Sequence, residues 1–480
     1  MKILLRNIFL WLLLPGSLFA QEQLGLKTST YAGLHSAYLN PAATASYPMQ
    51  WELNLFSIGA FFDNNFAFIT DTSTPDLIRN GEELMPGFND NSPNSNLKYD
   101  FYAETNTTRY LNLSTKVNGP SLMFKTNNGQ SLGIFYNFRL EGGMANIPGT
   151  YNYYYFADRF VLDRIPLTPV NFSTMLWSEL GAHFSQEIET YQGKISFGLN
   201  AKFLQGYEAT YVDLNNMTYS MSINADTVNV EGVDVNFGYT TTNVDMLDGS
   251  DELQRRINGQ GVAFDLGFNY IVDGYEDNYA WKVGISLLDF GSVKFNRNAE
   301  AHRIDTENFF EVSEATYKEF TTLAEVQDQI SLDALGATTT SLERNNFRIW
   351  VPSAISIQAD VNVWEGLFVS GLLMQRLAFA DNHLRRGNLL NISPRYQHKW
   401  GEIHFPITLY EYKDLNMGLA LRLGFLTIGT DNLGSFTKSR EYTGTDFYIG
   451  LKIFPFSSKL TLGGLNLGGK GGKKVKCYDF

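Results

Sequence analysis

Hydrophobic and polar positions alternate strictly along Lys194–Phe203, KISFGLNAKF. Ile195, Phe197, Leu199, Ala201 and Phe203 fall on one face, and Ser196, Gly198, Asn200 and Lys202 on the other. A period of two marks a strand with one apolar and one polar surface. The preceding stretch does the same more loosely: Leu176, Leu180, Ala182, Phe184 and Ile188 oppose Glu179, Gly181, His183, Ser185 and Glu187. Tyr191-Gln192-Gly193 joins the two as a tight turn.

This hairpin recurs down the chain. The pattern predicts strands at 51–69 (with a break near Asp63-Asn64-Asn65), 110–125, 131–146, 172–190, 194–213, 261–273 and 282–295. It resumes at 347–363, 367–380, 388–398, 402–411, 416–424, 425–430 and 444–455. Asn127-Asn128-Gly129 is a strong hairpin signal, and Trp364-Glu365-Gly366 and Trp400-Gly401 mark two more turns. Long polar loops at 70–108, 147–170, 214–260 and 300–346 alternate with these short turns. A helical turn is expected at Asp76–Leu84. In the last loop Tyr317, Phe320, Leu323, Val326 and Ile330 recur at three or four, which predicts an amphipathic helix.

Alternating short turns and long loops are the habit of outer-membrane barrels. With both ends on one side the strand number is even, and the count is fourteen, with twelve or sixteen as neighbouring choices. The reading is therefore all-β: a transmembrane antiparallel up-and-down β-barrel over 49–456, with an N-terminal hatch at 21–48 and long extracellular loops. Leu34, Tyr38 and Leu39 suit a short helix in that hatch, ended by Pro41. Beyond Phe456 glycine and lysine dominate. Residues 457–480 read as a periplasmic tail, either solvated or drawn to anionic envelope polymers or lipid head groups.

The ends and the composition agree. Lys2 and Arg6, the apolar Ile8–Leu14, Pro15-Gly16 and Leu18-Phe19-Ala20 form a secretory signal peptide over 1–20, too short to span a bilayer. Mean hydropathy is −0.18 and no later run reaches the roughly 20 apolar residues of a membrane helix. Export to the bacterial outer membrane, in contact with its lipid, is the expectation. Aromatic residues make up 14%, an excess that suits interfacial girdles. Loss of Lys2 and Arg6 takes the formal charge from −13 to −15, which argues against nucleic acid as a partner. One cysteine, Cys477, leaves no internal disulfide and no thiolate cluster.

Candidate chemistry is sparse. Of six histidines only His183 and His404 lie well inside strands, both on the polar face, and no serine pairs with either in the sequence. Asn89-Asp90-Asn91-Ser92 and Asp245, Asp248, Asp251 and Glu252 carry hard oxygen ligands but lack EF-hand spacing. The glycine-rich segments follow no phosphate-loop pattern. No catalytic constellation, metal site or cofactor is expected, and the protein is read as a non-enzyme. By parity Lys202, Lys282, Arg422 and Lys452 point inward, as do Glu187, Asp265 and Asp360. These charges either line a water-filled pore or pair and plug the barrel.

Asn40-Pro41-Ala42 ahead of the first strand resembles the hatch motif of FadL-type barrels, the long-chain fatty acid transporters, which are fourteen-stranded. The chain more closely resembles an uncharacterised family of Bacteroidota outer-membrane proteins. Gly33-Leu34-His35 with Asn40-Pro41-Ala42, Ser286–Phe295 around Asp289 and Gly291, and Gly429-Thr430-Asp431-Asn432-Leu433 carry that resemblance. Related PorV- and PorP-type barrels serve type IX secretion and gliding. The resemblance implies an outer-membrane barrel and passive uptake of a small hydrophobic molecule, with a hinge at Asn40, Pro41 and Ala42. The alternative is a scaffold whose long insertions or basic tail dock secretion, gliding or surface-lipoprotein partners. A structural barrel with neither activity is a third reading.

Overall fold

The structure is a computed structural model. It describes residues 22–79, 99–104, 106–151, 164–167, 169–221, 227–242, 256–274, 279–317, 320, 322–379, 381–455, 461–462 and 465–466. The expected signal peptide, both candidate calcium clusters and nearly all of the expected basic tail fall outside these residues.

The chain is a closed, fourteen-stranded antiparallel β-barrel. Its strands are β1 (Trp51–Asn64), β2 (Thr108–Asn118 continuing as Ser121–Lys125), β3 (Gln130–Pro148), β4 (Val170–Thr190) and β5 (Gly193–Met221). Next come β6 (Gly259–Asp273), β7 (Tyr279–Phe295), β8 (Phe347–Trp350 and Ala354–Trp364), β9 (Leu367–Arg376) and β10 (Leu389–His398). The last four are β11 (Gly401–His404 and Ile407–Tyr410), β12 (Asp414–Met417 and Leu419–Leu423), β13 (Leu426–Thr430) and β14 (Gly444–Ile453). Each pairs with the next, and β14 closes on β1 from Leu53↔Ile453 to Asp63↔Gly444. Pro352 and Pro406 interrupt β8 and β11, because proline offers no N–H to the ladder.

The polarity is inverted relative to a water-soluble barrel. Phe197 is 50% exposed and Phe203 41%, whereas Ser196 and Asn200 on the opposite face are fully buried. Leu132, Ile134, Leu180, Phe264, Leu266, Ile285, Ile357, Ile392 and Ile428 continue the exposed apolar belt around the wall. Tyr191, Trp281, Trp364, Tyr396 and Trp400 ring it at the end that carries the short turns. Phe290, Trp350 and Phe379 cluster near the loop end, with Phe290–Phe379 centroids 5.4 Å apart. Such a belt between aromatic girdles matches a bilayer's hydrocarbon layer. Among the described residues no helix is long and apolar enough to cross a membrane. Leu199→Arg, which places a charge in the belt, is expected to cost about 2–4 kcal/mol, read from urea titration of the folded barrel in lipid.

Three local expectations are corrected. The first strand stops at Asn64, where Asn64 and Asn65 turn the chain. Ala67–Ile69 then pairs with Tyr99–Phe101 in a separate two-stranded sheet. The described part of 214–260 is largely strand and not the expected loop. β5 runs on to Met221 and pairs with a strand at Thr227–Thr240, which in turn pairs with Ala299–Thr306 and Phe310–Ser313. The two long insertions therefore build one annex above the loop end, cored by Val230, Val233, Ile304, Phe310 and Ala334. The long helix is Leu323–Leu335, and Tyr317 ends a separate four-residue helix. Thr322 and Glu325 form a capping box that starts the long helix, and Gly336 at φ 83° ends it.

Candidate functional site: the filled lumen

Many inward positions of the strands face residues 22–49 of the same chain, which lie inside the barrel as an α-turn (Leu24–Lys27) and two 3₁₀ helices (Gly33–Tyr38 and Pro41–Ser46). Short helices leave most of their carbonyls without an internal partner, and buried carbonyls need one. The wall supplies it. Ser196 Oγ donates to Ala42 O at 3.1 Å, Asn200 Nδ2 to Ala37 O at 3.1 Å, and Ser286 Oγ to Leu39 O at 2.6 Å. Ser131 Oγ reaches Thr44 O at 3.1 Å. The polar face of KISFGLNAKF is thus polar because it solvates this internal segment.

Asn40-Pro41-Ala42 sits in a cradle of three glycines on successive strands. A Cβ on Gly198 would lie 2.2 Å from Pro41 C, one on Gly267 2.1 Å from Asn40 Oδ1, and one on Gly284 2.6 Å from Asn40 Nδ2. Asn40 caps the second 3₁₀ helix by accepting from Ala42 N at 2.9 Å, with Pro41 at its first position. Its amide nitrogen donates to Phe268 O at 3.1 Å and to Gln358 Oε1 at 2.8 Å. Asn40→Ala removes the cap and the wall bonds together. The expected loss is about 1–2 kcal/mol of docking, measured as faster hydrogen exchange across 33–47 with exchange in β1–β14 unchanged.

The inward charges are paired. Lys202 contacts Asp265 at 2.7 Å and Asp289 at 2.6 Å, and Lys282 contacts Asp360 at 3.3 Å. Arg422 meets Glu402 at 3.1 Å and Lys452 meets Glu52 at 3.4 Å. Glu187 pairs with Lys194 at 3.6 Å near a turn. The internal segment joins this network. Ser29 Oγ donates to Glu402 at 2.6 Å, and Lys452 donates to Tyr31 O. Glu22 accepts from Nε and Nη2 on one edge of the Arg386 guanidinium, at 2.7 and 2.9 Å, and from Lys27 at 3.3 Å. Arg386 also reaches Asp289 at 3.3 Å, and Asp289 binds Arg139 at 3.1 Å.

Sequence reasoning noted Asp289 as part of a matched stretch without placing it in the lumen, and missed Glu22 and Arg386. Asp289 has φ 52° and sits in a bulge where Phe264↔Phe290 gives way to Leu266↔Leu287. The signal was present: Val283, Ile285 and Leu287 alternate, and Leu288 then breaks the parity. Residues 381–386 fold inward between β9 and β10, so that Leu384 is 2% and Arg386 7% exposed. Nothing in the local pattern distinguishes them from a surface loop. The histidines prove to be anchors. His183 lies between Thr44 Oγ1 and Asn200 Oδ1, each at 2.6 Å, and His404 binds Glu402. The Thr44–His183–Asn200 line has the order of a nucleophile, base and orienter, but all three are buried under the internal segment.

Two inward apolar clusters lie toward the loop end. One gathers Met175, Trp177, Leu204, Val293, Phe295 and Leu384. The other joins Phe61, Tyr110, Leu372, Met374, Leu389 and Tyr410 to Leu24 and Leu39 of the internal segment. Beside the segment's other flank lies a small cavity of about 60 Å³ lined by Thr28, Ser36, Asn40, Lys282, Gln358 and Asp360 among others.

Inverted polarity, a closed strand order and an internal stopper define a membrane-type barrel. The chain belongs to DUF5723, a family of unknown function, whose profile matches residues 41–431. No curated protein matches the sequence. Among solved structures it is similar to the Ralstonia pickettii toluene transporter TbuX at 10% identity, covering 92% of this chain and 95% of that one with TM-score 0.39. The Pseudomonas putida toluene transporter TodX gives 9% identity, 92% and 96% coverage and TM-score 0.37. A Pseudomonas aeruginosa FadL homologue gives 8% identity, 93% and 99% coverage and TM-score 0.23. The barrel assignment rests on the strand pairing itself.

Proposed function

We propose that the protein spans the bacterial outer membrane and passively conducts a small hydrophobic molecule, with residues 21–48 acting as a hatch. The observation that carries the reading is the seat of Leu24 and Leu39 in the apolar cluster with Phe61, Leu389 and Tyr410. Burial of a leucine is worth about 1.5–3 kcal/mol. An apolar guest on the same surface recovers that energy and makes displacement of the segment affordable. Pro41, with its fixed φ, makes the Asn40-Pro41-Ala42 cradle the point about which the segment swings. Long loops face outward, so the guest enters from their side.

The scaffold alternative has less support. Its mark would be a free apolar face on the loop helix, and Val326 and Ala334 of that helix are instead buried, Ala334 in the annex core. Purification from outer membranes in mild detergent, followed by native mass spectrometry, tests the proposal. A bound apolar molecule that is lost on Pro41→Ala is expected. A stoichiometric protein partner on an empty lumen would contradict it.

A further inference from the structure

Residues 381–388, between β9 and β10, cross the bore on the loop side of the hatch instead of running over the rim. Connecting segments normally stay at the surface, because their backbone groups need partners. Here distant parts of the wall supply them. Trp350 of β8 donates its N–H to Asn382 O at 2.9 Å and accepts from Leu384 N at 2.9 Å. Ser173 Oγ of β4 donates to His383 O at 2.8 Å. A Cβ on Gly143 of β3 would lie 3.0 Å from Arg385 Cβ. The Arg385 guanidinium stands 5.4 Å from the centre of the Tyr110 ring on β2. In the closed ring, β2, β3 and β4 lie across the bore from β9 and β10.

The crossing segment is fastened at its root, in its middle and to the hatch. At the root, Asn388 Oδ1 accepts from Arg376 N at 2.9 Å and Asn388 N donates to Glu411 at 3.2 Å. In the middle, Leu384 is 2% exposed and seated among Met175, Trp177, Val293 and Phe295. Arg386 then faces two carboxylates, Asp289 of the wall and Glu22 of the hatch. Gly387 passes so close to Tyr410 that a Cβ would lie 2.1 Å from its Oη, and Tyr410 packs with Leu24 of the hatch. The side chain that fills the bore and the one that grips the hatch thus belong to one short strap.

We infer that residues 381–388 are a second stopper in series with the hatch, a strap that closes the bore on the loop side and is held down by Glu22. While Glu22 is in place, Arg386 is bound on both sides and Leu384 stays in its seat. Departure of the hatch removes one of the two carboxylates and frees the strap to lift. A guest arriving from the loop side meets the strap first. The last point rests on the hatch reading above, whereas closure by the strap and its tie to Glu22 do not.

Two measurements on the full-length protein separate tie from closure. Hydrogen exchange in detergent reads the tie. In Glu22→Ala the amides of Trp350 and Leu384 are expected to exchange about tenfold faster, with the amides of β4 and β5 unchanged. Unaltered exchange at 350 and 384 overturns the tie. Conductance in planar bilayers reads closure. Gly143→Cys and Arg385→Cys, in a Gly198→Val, Cys477→Ser background, bring two Cβ atoms about half an ångström inside the usual disulfide range of about 3.5–4.5 Å, a difference a loop can absorb. Openings are expected to vanish in the oxidised protein and return with a thiol reductant, while each single cysteine ignores the oxidant. Thiols that fail to pair, or undiminished openings in the oxidised protein, overturn the strap as a stopper and leave the hatch reading standing. Silence in the reduced protein as well counts against the hatch cradle, and exchange at 350 and 384 then decides the strap alone.

Discussion

Gly198→Val will expel the hatch from its cradle and leave the barrel folded. The added Cβ would sit 2.2 Å from Pro41 C and 2.3 Å from Ala42 N, both backbone atoms that cannot swing aside like a side chain end. The wall cannot retreat either, since β5 is paired to β4 and β6 continuously around position 198. Overpacking of a fixed core costs about 1–3 kcal/mol when neighbours can adjust, and here only the internal segment can. The expected result in planar bilayers is frequent channel openings, against rare ones for the unaltered protein, with the same heat-modifiable migration of the barrel. Gly371→Val is the control: a Cβ there meets nothing within 4 Å. Equal conductance of the two variants would remove the cradle from the gate.

Arg386→Ala will release the other end of the hatch. Arg386 holds Glu22 through two hydrogen bonds and is 7% exposed. Removing one partner of a buried pair typically costs about 3–5 kcal/mol, because the other charge is left without compensation. Lys27 remains on Glu22, which places the expected loss at the lower end, about 3 kcal/mol. A cysteine introduced at Leu26 in a Cys477→Ser background should react with a soluble maleimide at least a hundredfold faster after Arg386→Ala. Adding Glu22→Gln should recover part of that protection, since the carboxylate left with Lys27 as its one partner is then gone. Additive effects of the two substitutions would show that the pair does not act as a latch.

Much of the barrel was legible because a membrane wall imposes one repeated rule. Every strand must show lipid an apolar face, so Phe197, Leu199 and Phe203 announce the strand and its outward side together. Turn signals such as Asn128-Gly129 then give the register, and the strand count follows. The annex was less legible. Its strands at Thr227–Thr240 and Ala299–Thr306 are polar on much of their surface, and they are specified by pairing with one another over long sequence distances.

The lumen was legible only as polarity. Parity placed Lys202, Asp265, Lys282, Asp360, Arg422 and Lys452 on the inner face, yet the partners of these charges lie on strands far apart in the chain. Asn40-Pro41-Ala42, Asp289 and Asp431 each drew notice as short matched stretches. Their meeting around one internal segment follows from closure of β14 on β1, which no local pattern encodes. Glu22 and Arg386 are 364 residues apart and neither lies on a strand, so no periodicity could have joined them.

A reversible tether of the hatch to the wall tests gating most directly. Thr44 Oγ1 and Ser185 Oγ are 2.7 Å apart, close enough for Thr44→Cys and Ser185→Cys to form a disulfide in a Cys477→Ser background. Uptake of radiolabelled naphthalene would be followed in whole cells with an intact outer membrane, before and after a thiol reductant. Hatch gating requires uptake to be blocked in the oxidised protein and restored by reduction. Equal uptake in both states, or none in the untethered protein, would contradict it.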